Sequence, residues 1–349
     1  MAPSTIKQWT VEGQNGFESL KLNEKAPLPH VGEKDVLVKF HAASLNYRDL
    51  VIPKGKYPFG VKENVIPGSD GAGTVEEVGS RVTRFKKGDK VVTLFNQAHL
   101  AGSIDRTAIN TGLGGSVDGT LREYAAFDEQ GLVHAPSNLN FAESSTLSCA
   151  ALTAWNALYG LETRAIKPGQ TVLTQGTGGV SIFAVQFAKA AGARVIATTS
   201  SAEKAETLKK YGADHVINYK ENPNWGEEAK KLTTNGDGVE HVVEVGGPTT
   251  LAQSLKAIKM DGVISIIGFI GGFTKDQPTF LDCLNNLCTV RGLLVGSRAQ
   301  FEEMNRAIEA NDIHPVVDKK SFSLTELKDA YQYMWDQKHF GKLVIKIGE

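Results

Sequence analysis

The sequence predicts an α/β protein made of a β-rich domain and an open, doubly wound parallel sheet. Three observations point there. From Thr171 onward, short β-branched runs alternate with segments of helical spacing, the pattern of a parallel sheet with crossover helices. From Thr5 to about Phe127, short alternating runs follow one another between glycine and proline punctuation, with no helices between them, which reads as a compact β-rich unit. A chain of 349 residues is also long enough for two domains with separate cores.

Composition narrows the function classes. Apolar residues make up 41% and charged residues 22% of the chain, as in ordinary soluble globular proteins. A net charge of −1 offers no electrostatic case for a nucleic-acid or anionic-membrane partner. No run approaches the roughly 18 apolar residues needed to span a bilayer. The opening residues, MAPSTIKQWTVEG, lack the basic start and apolar core of a secretory signal. Three cysteines, Cys149, Cys283 and Cys288, have no framework spacing. They point to a reducing, cytoplasmic setting with thiols serving as small apolar side chains.

In the β-rich part, Asp35–His41, Gly71–Val78 and Lys90–Phe95 are strands by alternation. Asn96–Thr120 is polar, glycine-rich and aperiodic; it is either a functional loop or a surface excursion. Phe141–Leu161 reads as a helix linking the two parts. The expected strands of the parallel sheet are Thr171–Thr174, Arg194–Thr198, His215–Asn218, Glu240–Val245, Val263–Ile267 and Thr289–Leu294. The helices between them include Ala202–Tyr211 and Leu251–Lys259. The last strand, Lys342–Ile347, should rejoin the first domain, because a lone strand needs a sheet. The expected boundaries are 1–150 with 297–349 for one domain and 151–296 for the other. Thr289–Leu294 lies at a sheet edge yet is apolar and β-prone, so a homodimer joined there is expected.

The stretch TVLTQGTGGVSIFAVQFAKAAGARVIATT, from Thr171 to Thr199, carries the chemistry. A strand breaks at Gly176-Thr177-Gly178-Gly179, Val180 follows, and helical spacing runs from Ile182 to Ala191 before a second strand. This is a βαβ unit of the dinucleotide-binding kind, with Ser181 in place of the last glycine. The glycines let the backbone approach a pyrophosphate, which then faces free N–H groups and the positive end of the helix dipole. The second strand ends Thr198-Thr199-Ser200-Ser201, without the acid that bonds an NAD ribose. Ser200 and Ser201 can donate to a 2′-phosphate, and Lys204 adds a cation one helical turn on, so NADP(H) is the expected cofactor. The same stretch also reads as a helix N-cap with Glu203 in the first turn.

Further motifs run in order along the chain. They are Asn46-x-x-Asp49, Gly55-x-Tyr57-Pro58, Ile66-Pro67-Gly68-Ser69-Asp70-Gly71-Ala72-Gly73, Val78-Gly79, Phe85-Lys86-Lys87-Gly88-Asp89-Lys90-Val91, Gly119-Thr120, Thr153-Ala154-Trp155 and Gly212–Tyr219. With the glycine turn, they make almost the whole chain resemble the medium-chain dehydrogenase/reductase superfamily. Within it, the chain is similar to the zinc-free quinone oxidoreductase and enoyl reductase branch. The resemblance implies a GroES-like catalytic domain and a Rossmann cofactor domain. It also implies that Tyr219 covers the adenosine phosphate, and that Asn46, Thr153, Gly246, Gly268, Gly341 and Lys342 contact the nicotinamide half.

Zinc-dependent relatives hold their catalytic ion with a Cys, a His-Glu pair and a later Cys. The matching positions here read Asn46, Ser69-Asp70 and Cys149, a poor donor set for zinc. The cysteine lobe of those relatives has no counterpart, since Asn96–Thr120 contains no cysteine. No metal is expected, and Cys149 reads as a buried apolar thiol.

Without a metal, the charge that arrives with hydride must be absorbed by hydrogen-bond donors. A conjugated enone or quinone suits this better than a simple ketone, because its charge spreads. The expected function is therefore NADPH-dependent reduction of activated C=C bonds or quinones, with a small-molecule electrophile as partner. A zinc-free alcohol dehydrogenase or aldehyde reductase and a non-catalytic NADPH-binding scaffold are the alternatives. By resemblance Asn46 faces the nicotinamide or the substrate oxygen; it also reads as a turn-forming Asn ahead of a helix. Tyr57 matches a tyrosine that looks catalytic in 2-enoyl thioester reductases, or it packs beside the turn before Pro58. His99 is a second candidate acid or a solvated loop histidine. Phe95, Phe269 and Phe273 follow strands and line either an apolar substrate pocket or the core.

Overall fold

The computed structural model describes residues 3–348. The chain forms two compact units: one runs to Leu152 and resumes at Gly296, and the other spans Thr153–Val295.

The first unit holds β1 (Thr5–Val11), β2 (Leu20–Pro27), β3 (Asp35–Ser44), β4 (Asp70–Val78), β5 (Lys90–Thr93), β6 (Tyr124–Asp128) and β7 (Leu132–His134). The second holds β8 (Thr171–Gln175), β9 (Arg194–Thr199), β10 (His215–Asn218), β11 (Val239–Glu244), β12 (Ile258–Ile266) and β13 (Thr289–Gly292). After it, β14 (Phe322–Ser323) and β15 (Val344–Lys346) return to the first unit.

In the first unit, β1 and β2 form an antiparallel pair. Seven strands form the main sheet in the order β14-β15-β3-β4-β5-β7, with β6 on β3. Strand β3 explains why its run is apolar on both faces. Val36, Val38 and Phe40 enter the main core with Val75, Val91 and Ala125. Leu37, on the opposite face by alternation, packs with Ile6, Ala26 and Tyr124. The C-terminal strand does rejoin this sheet: Val344 lies opposite Ser44, Ile345 opposite Ala43 and Lys346 opposite Ala42.

Two expectations for this unit gain detail. Asn96–Thr120 is largely exposed between Leu100 and Asn110, but it contains the short helix Arg106–Ile109 and bridges between Asn96 and Gly112 and between Leu113 and Val117, and it is anchored by Leu113 in the core. The single helix expected over Phe141–Leu161 is broken into Phe141–Ser144, a π-turn at Leu147–Ala151 and Leu152–Tyr159. The Ser145 and Thr146 hydroxyls donate to the carbonyls of Ala142 and Glu143, and such local bonds compete with a regular helix ladder.

The second unit is a six-stranded parallel sheet in the order β10-β9-β8-β11-β12-β13. The helix expected over Leu251–Lys259 ends at Ala257. From Ile258 the chain is already strand, paired opposite Val239, because Ile258 is buried among the core residues under the sheet. Strand order reverses between β8 and β11, where open α/β sheets leave a ligand crevice at the strand ends. A polar knot closes that point. Glu244, fully buried at the end of β11, accepts from Gln175 Nε2 at 2.7 Å and from the N–H groups of Gly246 and Gly247 at 2.9 Å each. The hydroxyls of Thr250 and Ser254 also donate to it. A buried carboxylate needs this many donors, and the result is a fixed loop after β11. Among the described residues, no helix is long and apolar enough to cross a membrane.

Candidate active site

In the second unit, the glycine turn sits between β8 and the helix Gly179–Ala190. Gly176 has φ +74°, and nothing lies within 4 Å of where its Cβ, or that of Gly178, would stand. The helix has Gly178 at its N-cap and no side-chain cap. An open backbone cradle beside an uncapped twelve-residue helix start fits a pyrophosphate. Thr177, Gly179 and Val180 are half-buried around it. Ser181, in place of the last glycine, donates to Gln175 O at 2.6 Å and ties the helix to the end of β8.

At the end of β9, Ser201 Oγ accepts from Lys204 N at 3.4 Å, as an N-cap should. Ser200 and Lys204 are half-buried beside it. Tyr219 N donates to Thr199 O at 3.0 Å, which sets the exposed Tyr219 next to Ser200 in the sheet. Ser200 and Lys204 thus follow β9, and Tyr219 follows the neighbouring β10. Thr153 is buried. A Cβ on Gly246 would stand 2.3 Å from Thr250 Oγ1, and one on Gly268 would stand 3.0 Å from Val245 O. Phe269 and Phe273 stack at 5.9 Å after β12, with Phe273 83% exposed.

In the first unit, strand register builds a polar cluster. Continuing the β3–β15 pairing two residues beyond Ser44–Val344 sets Asn46 opposite Lys342. Gly341, at φ +71°, makes the turn into β15; a Cβ there would stand 2.3 Å from Val316 O. Lys342 is 3% exposed. Its ammonium donates to Leu45 O at 2.8 Å, Asn46 Oδ1 at 2.6 Å and Asp70 Oδ2 at 3.2 Å. Asp70, fully buried, also accepts from Ser69 at 2.7 Å and Ser44 at 2.9 Å. Asn46 Nδ2 donates to Ser69 Oγ at 3.4 Å.

Asn46 is also the N-cap of the helix Tyr47–Val51. Its N–H donates to Asp49 Oδ2 at 2.8 Å. Asp49 in turn takes Arg48 Nη1 at 3.3 Å. Arg48 Nη1 donates as well to Leu113 O at 2.8 Å, and Arg48 Nε donates to Tyr57 Oη at 3.3 Å. The guanidinium lies 4.9 Å from the ring centres of both Tyr57 and Phe95, a cation–π sandwich. Burial pushes the Asp49 carboxyl up to about 6, against the opposing pull of Arg48. Burial also works against charge on Arg48, but Tyr57 and Asp49 outweigh it and raise its pKa.

The site residues therefore fall into two sets. Asn46, Lys342 and, through Asp49 and Arg48, Tyr57 belong to one connected network. Phe95 is buried beneath Arg48, with 2% exposure. His99 is buried rather than solvated, with Nε2 2.9 Å from Gly102 O. Arg48 was not singled out from sequence. Its partners Tyr57, Phe95 and Leu113 are far apart in the chain, so no spacing signals it.

The residues at the metal-ligand positions do not fit zinc. Burial, with Asp70 nearby, pushes the Cys149 thiol up to about 12, whereas zinc needs a thiolate. Asn46 and Asp70 already hold an ammonium.

Comparison with known proteins follows the same two units. Residues 32–137 match the family described as alcohol dehydrogenase GroES-like domain. Residues 179–310 match the family described as zinc-binding dehydrogenase. A zinc-type alcohol dehydrogenase-like protein of Schizosaccharomyces pombe is 50% identical, over 95% of this chain and 96% of its own. The chain belongs to the medium-chain dehydrogenase/reductase superfamily. As a medium-chain dehydrogenase/reductase it is an oxidoreductase that depends on a pyridine nucleotide. A chloroplastic NADPH-dependent alkenal/one oxidoreductase of Arabidopsis thaliana is 30% identical, over 98% of this chain and 80% of its own. A solved structure described as an alcohol dehydrogenase of Sinorhizobium meliloti 1021 superposes with a TM-score of 0.90 at 39% identity, covering 99% of this chain and all of that one. The zinc-binding dehydrogenase match begins at residue 179, beyond Asn46, Ser69, Asp70 and Cys149, so that description says nothing about those positions.

The purified protein is expected to contain far less than one zinc per chain and to keep its activity in strong chelator. Elemental analysis near one metal per chain, with activity lost on its removal, would contradict this.

Proposed function

We propose that the protein is an NADPH-dependent, zinc-independent reductase of activated C=C bonds, such as enones, or of quinones. The observation that carries this reading is the ammonium–amide cluster at the metal-ligand positions. A bound nicotinamide would supply the hydride. The chain's own task is then to receive negative charge on a substrate oxygen with hydrogen-bond donors. A simple ketone concentrates that charge on one oxygen, whereas a conjugated acceptor spreads it and asks less of the donors.

Two donors suit the task. Asn46 has an Nδ2 that is bound to Ser69 only at long range, at 3.4 Å. Tyr57 accepts from Arg48, so its own hydroxyl hydrogen is left for another acceptor. The name of the Arabidopsis relative is consistent with an alkenal or enone substrate and with NADPH. The relatives named as alcohol dehydrogenases keep carbonyl reduction as the second reading.

Ser200, Lys204 and Tyr219 support NADPH over NADH. The preference should be at least about tenfold, roughly 1.4 kcal/mol, and Lys204→Glu should remove most of it. Equal kinetics with the two cofactors in the wild type would refute the assignment.

The three free cysteines are in keeping with a reducing cytoplasm. A homodimer is proposed along β13. This strand is the sheet edge, and the adjoining Phe280, Leu281, Leu284 and Leu287 are exposed at 85%, 57%, 66% and 55%. Such an edge with bare apolar side chains invites a cover. Light scattering should give twice the chain mass; a monomer across micromolar concentrations would count against it.

The reaction itself is tested by NADPH oxidation with an enone, a quinone and the saturated ketone matching the enone. The first two should turn over and the third should not. Tyr57→Phe should lower kcat about 100-fold with NADPH affinity unchanged. A wild-type rate in that variant would leave Tyr57 a packing residue.

A further inference from the structure

We infer that Lys342 is a positioning residue for the reaction: its ammonium holds the Asn46 carboxamide by Oδ1 and so presents Nδ2 as the donor to the substrate oxygen that gains charge. The inference rests on the reductase reading above, in which Asn46 is such a donor.

The directions of the hydrogen bonds support this orientation. A carboxamide can turn either its oxygen or its nitrogen to a neighbour, and only the network selects between them. An ammonium donates and never accepts, so the atom of Asn46 at 2.6 Å from Lys342 Nζ has to be Oδ1. On the other side, Ser69 Oγ gives its one proton to Asp70 Oδ1 at 2.7 Å. It can therefore only accept from Asn46, which again requires Nδ2 on that side. Both neighbours select the same rotamer. One Nδ2 hydrogen goes to Ser69, and the second has no described partner.

Lys342 acts through Asn46 rather than by touching a ligand. Its three N–H bonds are matched by three acceptors, Leu45 O, Asn46 Oδ1 and Asp70 Oδ2, and the side chain is 3% exposed. A cation on the amide oxygen also draws electron density from the nitrogen, so the Nδ2 hydrogens become stronger donors. The charge of Lys342 would reach the substrate by this relay, with Asp70 keeping the buried pair neutral. The placement is enforced by the backbone. Lys342 N donates to Val316 O at 2.9 Å and Lys342 O accepts from Asp318 N at 2.8 Å, while Asn46 is held as a helix N-cap.

The test is a kinetic cycle with NADPH and an enone. Lys342→Met would strand a buried Asp70, so it is also made together with Asp70→Asn, which leaves no unpaired charge. Thermal melts confirm which variants are folded. Both are expected to lower kcat about 10- to 100-fold, with the NADPH Kd, read by fluorescence titration without substrate, within about twofold of wild type. In an Asn46→Ala background, the Lys342→Met/Asp70→Asn pair should cost nothing further, because the route through Asn46 is already gone. Losses that multiply instead, or a Kd for NADPH raised tenfold or more, would overturn the inference and make Lys342 a cofactor ligand. A slow Asn46→Ala beside a Lys342→Met/Asp70→Asn variant at full rate would defeat the role of Lys342 and leave the reductase reading standing. Full rates in both Asn46→Ala and Tyr57→Phe would defeat the reductase reading, and this inference with it.

Discussion

The antiparallel pairing of β15 with β3 is the constraint on which the first unit depends. It joins the last strand of the chain to one of the first, across the whole second unit in sequence. Its register sets Ser44 opposite Val344 and, two residues on, Asn46 opposite Lys342. A slip of one residue would turn Lys342 to the other face of the sheet. The bonds of Lys342 to Leu45, Asn46 and Asp70 exist only because this register holds. The same pairing buries Ile345 and Ile347 in the core with Phe40 and Leu45, so apolar packing pins the polar cluster.

Around that pairing the site is organised by charge balance. Lys342 and Asp70 are buried together, and so are Arg48 and Asp49. Removing one partner of a buried pair leaves a charge without compensation, which makes each of the four costly to change. Neither pair is aimed outward. Each holds a neutral side chain, Asn46 in one case and Tyr57 in the other. Neutral donors backed by cations can stabilise a developing oxyanion without exposing a fixed charge to water. A bound metal ion does the same by direct contact. The two solutions need different residues at the same positions, which is why a protonated Cys149 thiol and the Asn46 amide belong together.

The second unit solves a separate problem. Its strand order reverses between β8 and β11, where open α/β sheets leave a crevice at the strand ends. Ser181 ties the helix after the glycine turn to β8, while Gln175 and Glu244 gather the loop after β11. The backbone at Gly176 and Gly178 stays uncovered beside these anchors.

Much of this architecture could be read from sequence, for a physical reason. Strand and helix periods are local, so the six strands of the parallel sheet and the glycine turn lay in plain view. The serines and Lys204 at the end of β9, and the absence of an acid there, are likewise a local pattern. The replaced ligands at Asn46, Ser69 and Asp70 were legible through family resemblance. Tertiary structure alone set the partners. Nothing in the local sequence says that Lys342 bonds Asn46, that Arg48 lies against Tyr57 and Phe95, or that Glu244 collects five donors. Those contacts join residues distant in sequence, and long-range register and burial select them. The segment Phe141–Leu161 is helical as expected, but in three pieces, because the hydroxyls of Ser145 and Thr146 take backbone partners that periodicity does not reveal.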